Sequence, residues 1–146
     1  MAQQLINQYH FLAKWGGKRE DFLEISGLDI SIDIIPMREG NSKVDSPIKI
    51  PGLKTFPEII FKRNINLGDN DFYDWITTRN FGTVERRTIE IFLLDENLLP
   101  VITWRVLNCF PSKYYGPVLI SNDSQIATET LYIAHDGFTV EHFRKK

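Results

Sequence analysis

Three histidines are the side chains here best suited to bind zinc or move a proton near neutral pH, and they lie far apart, at His10, His135 and His142. Zinc sites usually contain pairs of ligands that are close in sequence, and a Cys–His catalytic pair needs a cysteine thiol within hydrogen-bond distance of the histidine. The single cysteine, Cys109, has no histidine near it in sequence. This pattern predicts no catalytic residues and no histidine-based metal site, and it indicates a buried structural thiol.

An acidic segment, residues 69–71 with Asp74, resembles the start of a calcium-binding loop. An EF-hand needs glycine at the sixth loop position and glutamate at the twelfth, and here those positions hold Asp74 and Asn80. Acidic and amide side chains also suit a helix N-terminus. We therefore expect helix capping here and no metal ion.

The composition excludes several functional classes. The 146 residues fit one domain, with 42% hydrophobic residues, 25% charged residues and a net charge of −2. A nucleic-acid-binding domain would usually be basic, and a membrane helix needs about 20 apolar residues. No glycine-rich phosphate loop is present. We expect a protein without cofactor or membrane anchor, made in the cytoplasm.

Hydrophobic periodicity predicts many strands and one helix. From Leu28 to Ile34 apolar and polar residues alternate strictly, as in a strand with one buried face. Phe72, Trp75 and Ile76 have helical spacing within a helix of about 69–80 that Asp69 or Asn70 can cap. The predicted strands are residues 9–15, 28–35, 58–65, 87–94, 101–110, 117–121, 126–134 and 137–143.

These elements predict a mainly β domain, a sandwich or barrel with one short helix. Residues 87–94 and 101–110 form a hairpin in which Thr103 points away from the core and Pro111 ends the pairing. Residues 36–56 are rich in proline and glycine and form a long loop, which in a compact domain is usually functional or disordered.

A collinear series of short motifs resembles the tail tube protein family of contractile phages and of phage-tail-like extracellular contractile injection systems. Each motif is unspecific alone, and the resemblance comes from their order and spacing over nearly the whole chain. In sequence order they are residues 9–17, 26–28, 38–40, 51–52, 59–63, 74–76, 85–87, 94–96, 103–104, 108–111 and 128–131.

The resemblance implies a tail tube fold whose copies form hexameric rings that stack into a hollow tube. Sheath contraction would drive the tube through a target envelope while cargo, a protein effector or DNA, passes down the lumen. The implied partners are further copies of the chain, a sheath protein, a baseplate or tube initiator and a terminator cap. The resemblance also implies that the protein is located in an assembled particle that can be released from the cell.

The loop at 36–56 is the implied subunit interface, because in this family the corresponding segment joins neighbouring subunits and rings. The candidates carried over from its motifs are Arg38, Glu39, Gly40, Pro51 and Gly52.

Aromatic side chains give a second group of interface candidates, since exposed aromatics are enriched at interfaces. Tyr114 and Tyr115 are adjacent in a predicted loop, and neighbours on one strand cannot both face a core. For these two residues, and for Phe56 and Met37, interface contact and ordinary packing remain open alternatives.

Other functions stay open as alternatives. A baseplate-proximal tube initiator or a type VI secretion-like tube protein would show the same motifs. A monomeric β-barrel that binds a small ligand would line its cavity with Trp15, Trp75 and Trp104. An enzyme would need converging titratable groups, which the sequence does not indicate.

Overall fold

The computed structural model describes residues 5–8, 10–38, 40, 47–78, 84–122 and 124–143. Within those residues the chain forms a mainly β fold with one short helix, as predicted. It divides into two compact units: Leu28–Pro57, and Met1–Gly27 together with Glu58–Lys146. The elements are β1 Phe11–Lys14, β2 Glu24–Ser26, β3 Ser31–Met37, β4 Ile48–Thr55, β5 Ile59–Asn64, α1 Asp71–Thr77, β6 Arg87–Leu94, β7 Pro100–Tyr115, β8 Thr128–Ala134 and β9 Phe138–His142.

The larger unit is built on a seven-stranded sheet in the order β1-β6-β7-β8-β5-β2, with β9 also paired to β7. The predicted hairpin of residues 87–94 and 101–110 is confirmed as β6 and β7, which pair antiparallel. Ile89 and Ile91 of β6 are 1% and 2% exposed, since their alternate positions face the core. This hairpin supplies the centre of the sheet.

Strand β7 changes its pairing partner along its length, from β9 to β8. Val106 pairs with Phe138 of β9, whereas Phe110 pairs with Ala134 of β8. Between them Asn108 has a positive φ of 53°, and its side-chain amide donates to Asp136 Oδ2 at 2.7 Å. Asn108 therefore lies in a bulge of β7, where the register with β6 shifts between Arg87 and Ile89.

The core of this unit is an aromatic cluster between the sheet and α1. Phe72 and Trp75 of the helix are fully buried, as their predicted helical spacing requires. Trp15 lies 5.1 Å from Phe72 and 5.9 Å from Trp75 between ring centroids. The two tryptophans therefore fill the core and do not line a ligand cavity, which removes the main support for the ligand-binding alternative.

Gly27 ends β2 in a conformation that only glycine adopts easily, with φ of +89°. A Cβ atom at this position would overlap the carbonyl oxygen of Glu58. The chain therefore turns at Gly27, where a side chain would clash with the start of β5.

Several sequence expectations for the larger unit are wrong. Residues 117–121 form no strand. Pro111 does not end β7, because the ladder has an irregularity between Pro111 and Lys113 and then continues to Tyr115. Thr103 does lie on the face of β7 opposite to Trp104, as predicted, but it is only 7% exposed because it lies between Phe92 of β6 and Glu141 of β9.

The helix is also shorter than the predicted 69–80, since α1 begins at Asp71 and ends at Thr77, and Thr78 is already extended. Asn70 makes no side-chain cap. Asp69 does accept from the Asp71 N–H at 3.2 Å, so one predicted capping residue acts there.

The smaller unit is a two-stranded antiparallel hairpin of β3 and β4. The segment 36–56 is therefore not simply a loop, because Ile48–Thr55 is a strand. The alternating residues Ile30, Ile32 and Ile34 were expected to bury one face, and this is wrong for the single chain, in which they are 52%, 48% and 62% exposed. A two-stranded sheet has no further layer of its own to cover them.

Candidate assembly surfaces

The β3–β4 hairpin presents a cluster of apolar side chains on one face, here called the apolar quartet: Ile35, Met37, Ile48 and Ile50. Ile35 is directly opposite Ile50, and Met37 is opposite Ile48, so all four point to the same side. Their side chains are between 36% and 64% exposed. A contiguous exposed apolar cluster of this kind is typical of a surface that another molecule covers.

A bulge in β4 shapes the hairpin. Ile32 pairs with Lys54 and Ile34 with Pro51, so Gly52 and Leu53 together stand opposite Asp33 alone. A Cβ atom on Gly52 would lie 3.0 Å from the carbonyl oxygen of Asp33, closer than a normal contact. Glycine therefore lets β3 and β4 approach at the bulge, and the neighbouring Leu53 side chain is 80% exposed.

The hairpin brings together most of the interface candidates named from sequence. Arg38 follows β3 and is exposed, as is Gly40, and Glu39 lies outside the described residues. Pro51 is exposed on β4, and Phe56 follows the strand in a half-buried position. These residues share one hairpin, and their role in subunit contact stays a prediction.

Tyr114 and Tyr115 point to opposite sides of β7, as neighbours on a strand must. The Tyr114 hydroxyl donates to Glu129 Oε2 at 3.1 Å, so this side chain is held within its own chain. Tyr115 is 51% exposed, with its ring 5.2 Å from that of Tyr132. Of the two, Tyr115 has the more exposed ring.

The acceptor of the Tyr114 hydroxyl belongs to a buried ionic network. Arg63 is 1% exposed, and its Nε donates to Glu129 Oε1 at 2.7 Å. The Arg63 guanidinium also lies 3.8 Å from the Phe72 ring centroid and 3.5 Å from Asp69 Oδ2. The network joins β5, β8 and the residues before α1, so it fixes the helix on the sheet.

Asp69 occupies the other end of this network. Burial by itself would raise the pKa of the Asp69 carboxyl, but the hydrogen bonds from Arg19 and the Asp71 N–H and the charges of Arg63 and Arg19 outweigh burial and lower that pKa. Arg19 Nε donates to Asp69 Oδ2 at 2.6 Å. The acidic segment noted in the sequence thus uses Asp69 for an ion pair, and no three metal-ligating side chains converge among the described residues.

The remaining titratable groups with a shifted pKa are also structural. Burial raises the pKa of the Cys109 thiol to about 12, so at neutral pH the group is an unreactive thiol, as predicted for a buried cysteine. Burial and the hydrogen bond to Glu129 raise the pKa of Tyr114. These shifts keep the groups neutral and offer no nucleophile.

A second exposed apolar surface was missed by the sequence reasoning. The connection between β7 and β8 forms an open groove with a volume of about 710 Å³, here called the β7–β8 groove. Within it Val118, Leu119, Ile120 and Ile126 are 84%, 86%, 57% and 72% exposed. The run Val118–Ile120 was interpreted as a strand because short apolar runs usually are, and only its exposure in the fold indicates a surface. The groove is lined by Pro117, Val118, Leu119, Ile120, Ser121, Gln125, Ile126, Ala127 and Thr128.

Comparison with known proteins gives both a family and structural relatives. The family model described as T4-like virus tail tube protein gp19 matches residues 7–139. The chain is 28% identical to a chain in the cryo-EM structure of the anti-feeding prophage tube terminating cap, with a TM-score of 0.88 over 98% of this chain and 95% of that one. No curated protein sequence gives a significant match.

A second close structural relative belongs to the sheath–tube complex of an extracellular contractile injection system, PVC, in its extended state. It is 27% identical with a TM-score of 0.86, over 95% of this chain and 93% of that chain. Hcp1 from Flavobacterium johnsoniae, at 15% identity and a TM-score of 0.59 over 92% and 97% of the two chains, shares the fold.

In the described residues, no helix has the length and apolar character needed to span a membrane.

Proposed function

Because the chain belongs to the T4-like virus tail tube protein family, we propose that it is the inner tube subunit of a contractile, phage-tail-like injection particle. Copies form hexameric rings, and the rings stack into a rigid hollow tube that sheath contraction drives through a target envelope. The family match over residues 7–139, together with structural likeness to tube components of contractile injection systems, carries this proposal.

The apolar quartet supports an assembling subunit over a monomer. A large aliphatic side chain contributes about 1.5–3 kcal/mol when it passes from full exposure to full burial. Ile35, Met37, Ile48 and Ile50 are 49%, 53%, 64% and 36% exposed, so each still has a substantial part of that free energy to gain from a partner. An isolated two-stranded hairpin is marginally stable in water, and contact with a neighbouring copy supplies the missing layer.

The hairpin residues named from sequence are proposed as the interface. Arg38 and Gly40 are exposed in the connection that follows β3, and Glu39 is proposed together with them. Pro51 and Gly52 shape its second strand through the bulge. Phe56 is proposed with this group.

Tyr114 and Tyr115 lie outside the hairpin, and we propose different roles for them. Tyr115 is the exposed aromatic and is proposed to contact a neighbour. Tyr114 acts indirectly, because its hydroxyl is committed to Glu129 in the same chain.

The partners follow from the place of a tube in such a particle. The relatives lie in a sheath–tube complex and in a tube terminating cap, and we propose a sheath protein, a baseplate or tube initiator and a terminator cap as partners of this chain. The lumen conducts cargo, a protein effector or DNA. The subunit is made in the cytoplasm and works as part of an assembled particle that leaves the cell.

The role is proposed to be structural and not catalytic. Among the described residues the groups with shifted pKa values are engaged in packing or in the Arg63 network, and the Cys109 thiol is kept protonated by burial. A rigid tube requires stable subunits with complementary surfaces, and it does not require a catalytic site in the subunit.

Sedimentation velocity tests the assembling role. The wild-type chain is expected to form ring-sized species as its concentration rises, and Ile48→Asp in the apolar quartet is expected to shift assembly to at least tenfold higher concentration. Leu99→Asp is the matched control, because Leu99 is similarly exposed, at 57% against 64% for Ile48, and lies in the β6–β7 turn. Equal assembly by the two variants would show that the hairpin is not the interface.

A further inference from the structure

We propose that Leu98, in the turn between β6 and β7, is a contact residue for a sheath subunit. The inference rests on the proposed function and adds a residue by which the finished tube meets its sheath. The turn holds Leu98 in a backbone conformation that disfavours leucine, and the Leu98 side chain is 61% exposed. A residue that strains its own chain and is not buried in it needs a reason outside that chain.

The turn is closed by backbone hydrogen bonds and by the Asp95 carboxylate. The Leu98 N–H donates to the Asp95 carbonyl oxygen at 3.0 Å, and the Asp95 N–H donates to the Leu99 carbonyl oxygen at 2.9 Å. Asp95 Oδ1 accepts from the N–H groups of Asn97 and Leu99, each at 2.9 Å. In such a three-residue hairpin loop the last position is left-handed and is usually glycine. Here that position holds Leu98, whose side chain makes none of these hydrogen bonds.

The left-handed conformation makes leucine an unfavourable choice at position 98. Its φ is 61°, a region in which the Cβ atom of an L residue comes too close to the following carbonyl oxygen. Among the described residues the other non-glycine residue with a positive φ is Asn108, and asparagine adopts this conformation more easily. Glycine or asparagine would therefore fit position 98 better than leucine does, and Leu98 lowers the stability of its own fold.

The Leu98 side chain offsets little of this cost within its own chain. More than half of its surface stays in water, so the fold gains only part of the free energy that burying a leucine provides. Residues that violate a local backbone preference without such a gain are concentrated at functional sites. Glu96 and Asn97 are exposed beside it. A partner that fits this turn has an apolar pocket for Leu98 and a cationic or hydrogen-bond-donating group for Glu96.

A sheath subunit is the proposed partner that every copy of the turn can meet. Each subunit along a tube carries the same strained turn, and the sheath surrounds the tube over its length. An initiator or a terminator cap would contact the terminal rings alone and leave Leu98 of all other copies without a partner. Contact between tube subunits is already assigned to the β3–β4 hairpin, which belongs to the other compact unit of the chain. These points favour the sheath as the occupant.

Urea unfolding measures what leucine costs at position 98. Leu98→Gly and Leu98→Asn are both expected to raise the unfolding midpoint, because glycine and asparagine adopt the left-handed conformation more easily. Leu67→Gly is the matched control. Leu67 is also exposed but is not among the residues with a positive φ, so glycine there is expected to lower the midpoint. Lower midpoints for both Leu98 variants would show that this side chain serves its own fold, and would overturn the inference.

Co-sedimentation of assembled tubes with the sheath protein of the same particle measures the contact itself. The sheath protein is titrated below the concentration at which it pellets without tubes. Tubes of Leu98→Asn are expected to need at least tenfold more sheath protein for half-saturation than wild-type tubes, equivalent to about 1.4 kcal/mol. Leu98→Met keeps a large apolar side chain and is expected to bind like the wild type. Unchanged binding by Leu98→Asn would overturn the inference.

The outcomes separate this inference from the proposed function. Failure of the wild-type chain to form rings or tubes would overturn both. Wild-type tubes that bind no sheath protein, or that bind it equally well without Leu98, would overturn the inference alone. Loss of tubes with intact rings in Leu98→Asn would show that the turn meets another copy of the chain, and would contradict a sheath contact while leaving the tube subunit intact.

Discussion

Removing Arg63 should destabilise the fold more than any surface change, because the variant Arg63→Met leaves buried carboxylates without their cation. The Arg63 side chain is 1% exposed and that of its partner Glu129 is 5% exposed, with 2.7 Å between Arg63 Nε and Glu129 Oε1. Breaking a buried ion pair from one side typically lowers stability by about 3–5 kcal/mol. We expect a loss in this range for Arg63→Met.

A double-mutant cycle separates the ion pair from ordinary packing. Replacing both partners by apolar residues is often neutral or stabilising, so Arg63→Met combined with Glu129→Leu should recover much of the loss. The assay is urea unfolding followed by tryptophan fluorescence, which reports directly because Trp15 lies 5.3 Å from the Arg63 guanidinium. Tyr114→Phe, which removes only the hydroxyl that donates to Glu129, is the milder control.

Two results would refute this reasoning. A loss below about 1 kcal/mol for Arg63→Met would mean that Arg63 behaves like an exposed ion pair despite its burial. A double variant as unstable as the sum of the two single variants would mean that Arg63 and Glu129 act independently. Either result would remove the ionic network as the element that holds α1 on the sheet.

Three further predictions address other parts of the fold. Gly27→Ala should lower the free energy of unfolding more than Gly68→Ala. Both glycines have φ near +90°, where an L residue costs roughly 1–2 kcal/mol, but only at Gly27 would the new Cβ atom also clash with backbone. Equal losses of stability in urea unfolding would contradict this. Cys109, with its pKa raised to about 12, should resist alkylation by iodoacetamide at pH 8 in the folded protein and react once urea unfolds it; rapid labelling of the native chain would contradict its burial. The lowered pKa of Asp69 should make its contribution to stability complete above the unfolded pKa of about 3.9 and lost as pH falls through the folded pKa. The stability gap between wild type and Asp69→Asn should therefore narrow below about pH 4, and a gap that is constant from pH 7 to pH 3 would show that the carboxylate charge is not responsible.

The elements with strong local periodicity were predictable from sequence. The β6–β7 hairpin and the buried face of α1 follow from alternation and helical spacing. The burial of Thr103 was not predictable, because it depends on having β6 and β9 on both sides of β7, which no local pattern reveals. The prediction that Pro111 ends the strand was wrong, because an irregularity in the pairing of β7 with β8 accommodates a proline within the strand.

The assembly surfaces were harder to predict for a related reason. Alternation from Leu28 to Ile34 correctly indicates that the apolar side chains share one face, but it does not show that this face is exposed in the single chain. Strand β4 was hidden by Pro51 and Gly52, which normally mark loops and here form the bulge. The β7–β8 groove became visible only through the exposure of Leu119 and its neighbours.

Negative-stain electron microscopy of the purified, untagged protein at raised concentration tests the central claim most directly. The account predicts hexagonal rings, or tubes built from stacked rings, with a stain-filled central channel, and it predicts that Ile48→Asp removes them while Leu99→Asp does not. Uniform single particles of the wild type at every concentration, with no rings or tubes, would contradict the claim that this chain builds a tube from its own surfaces.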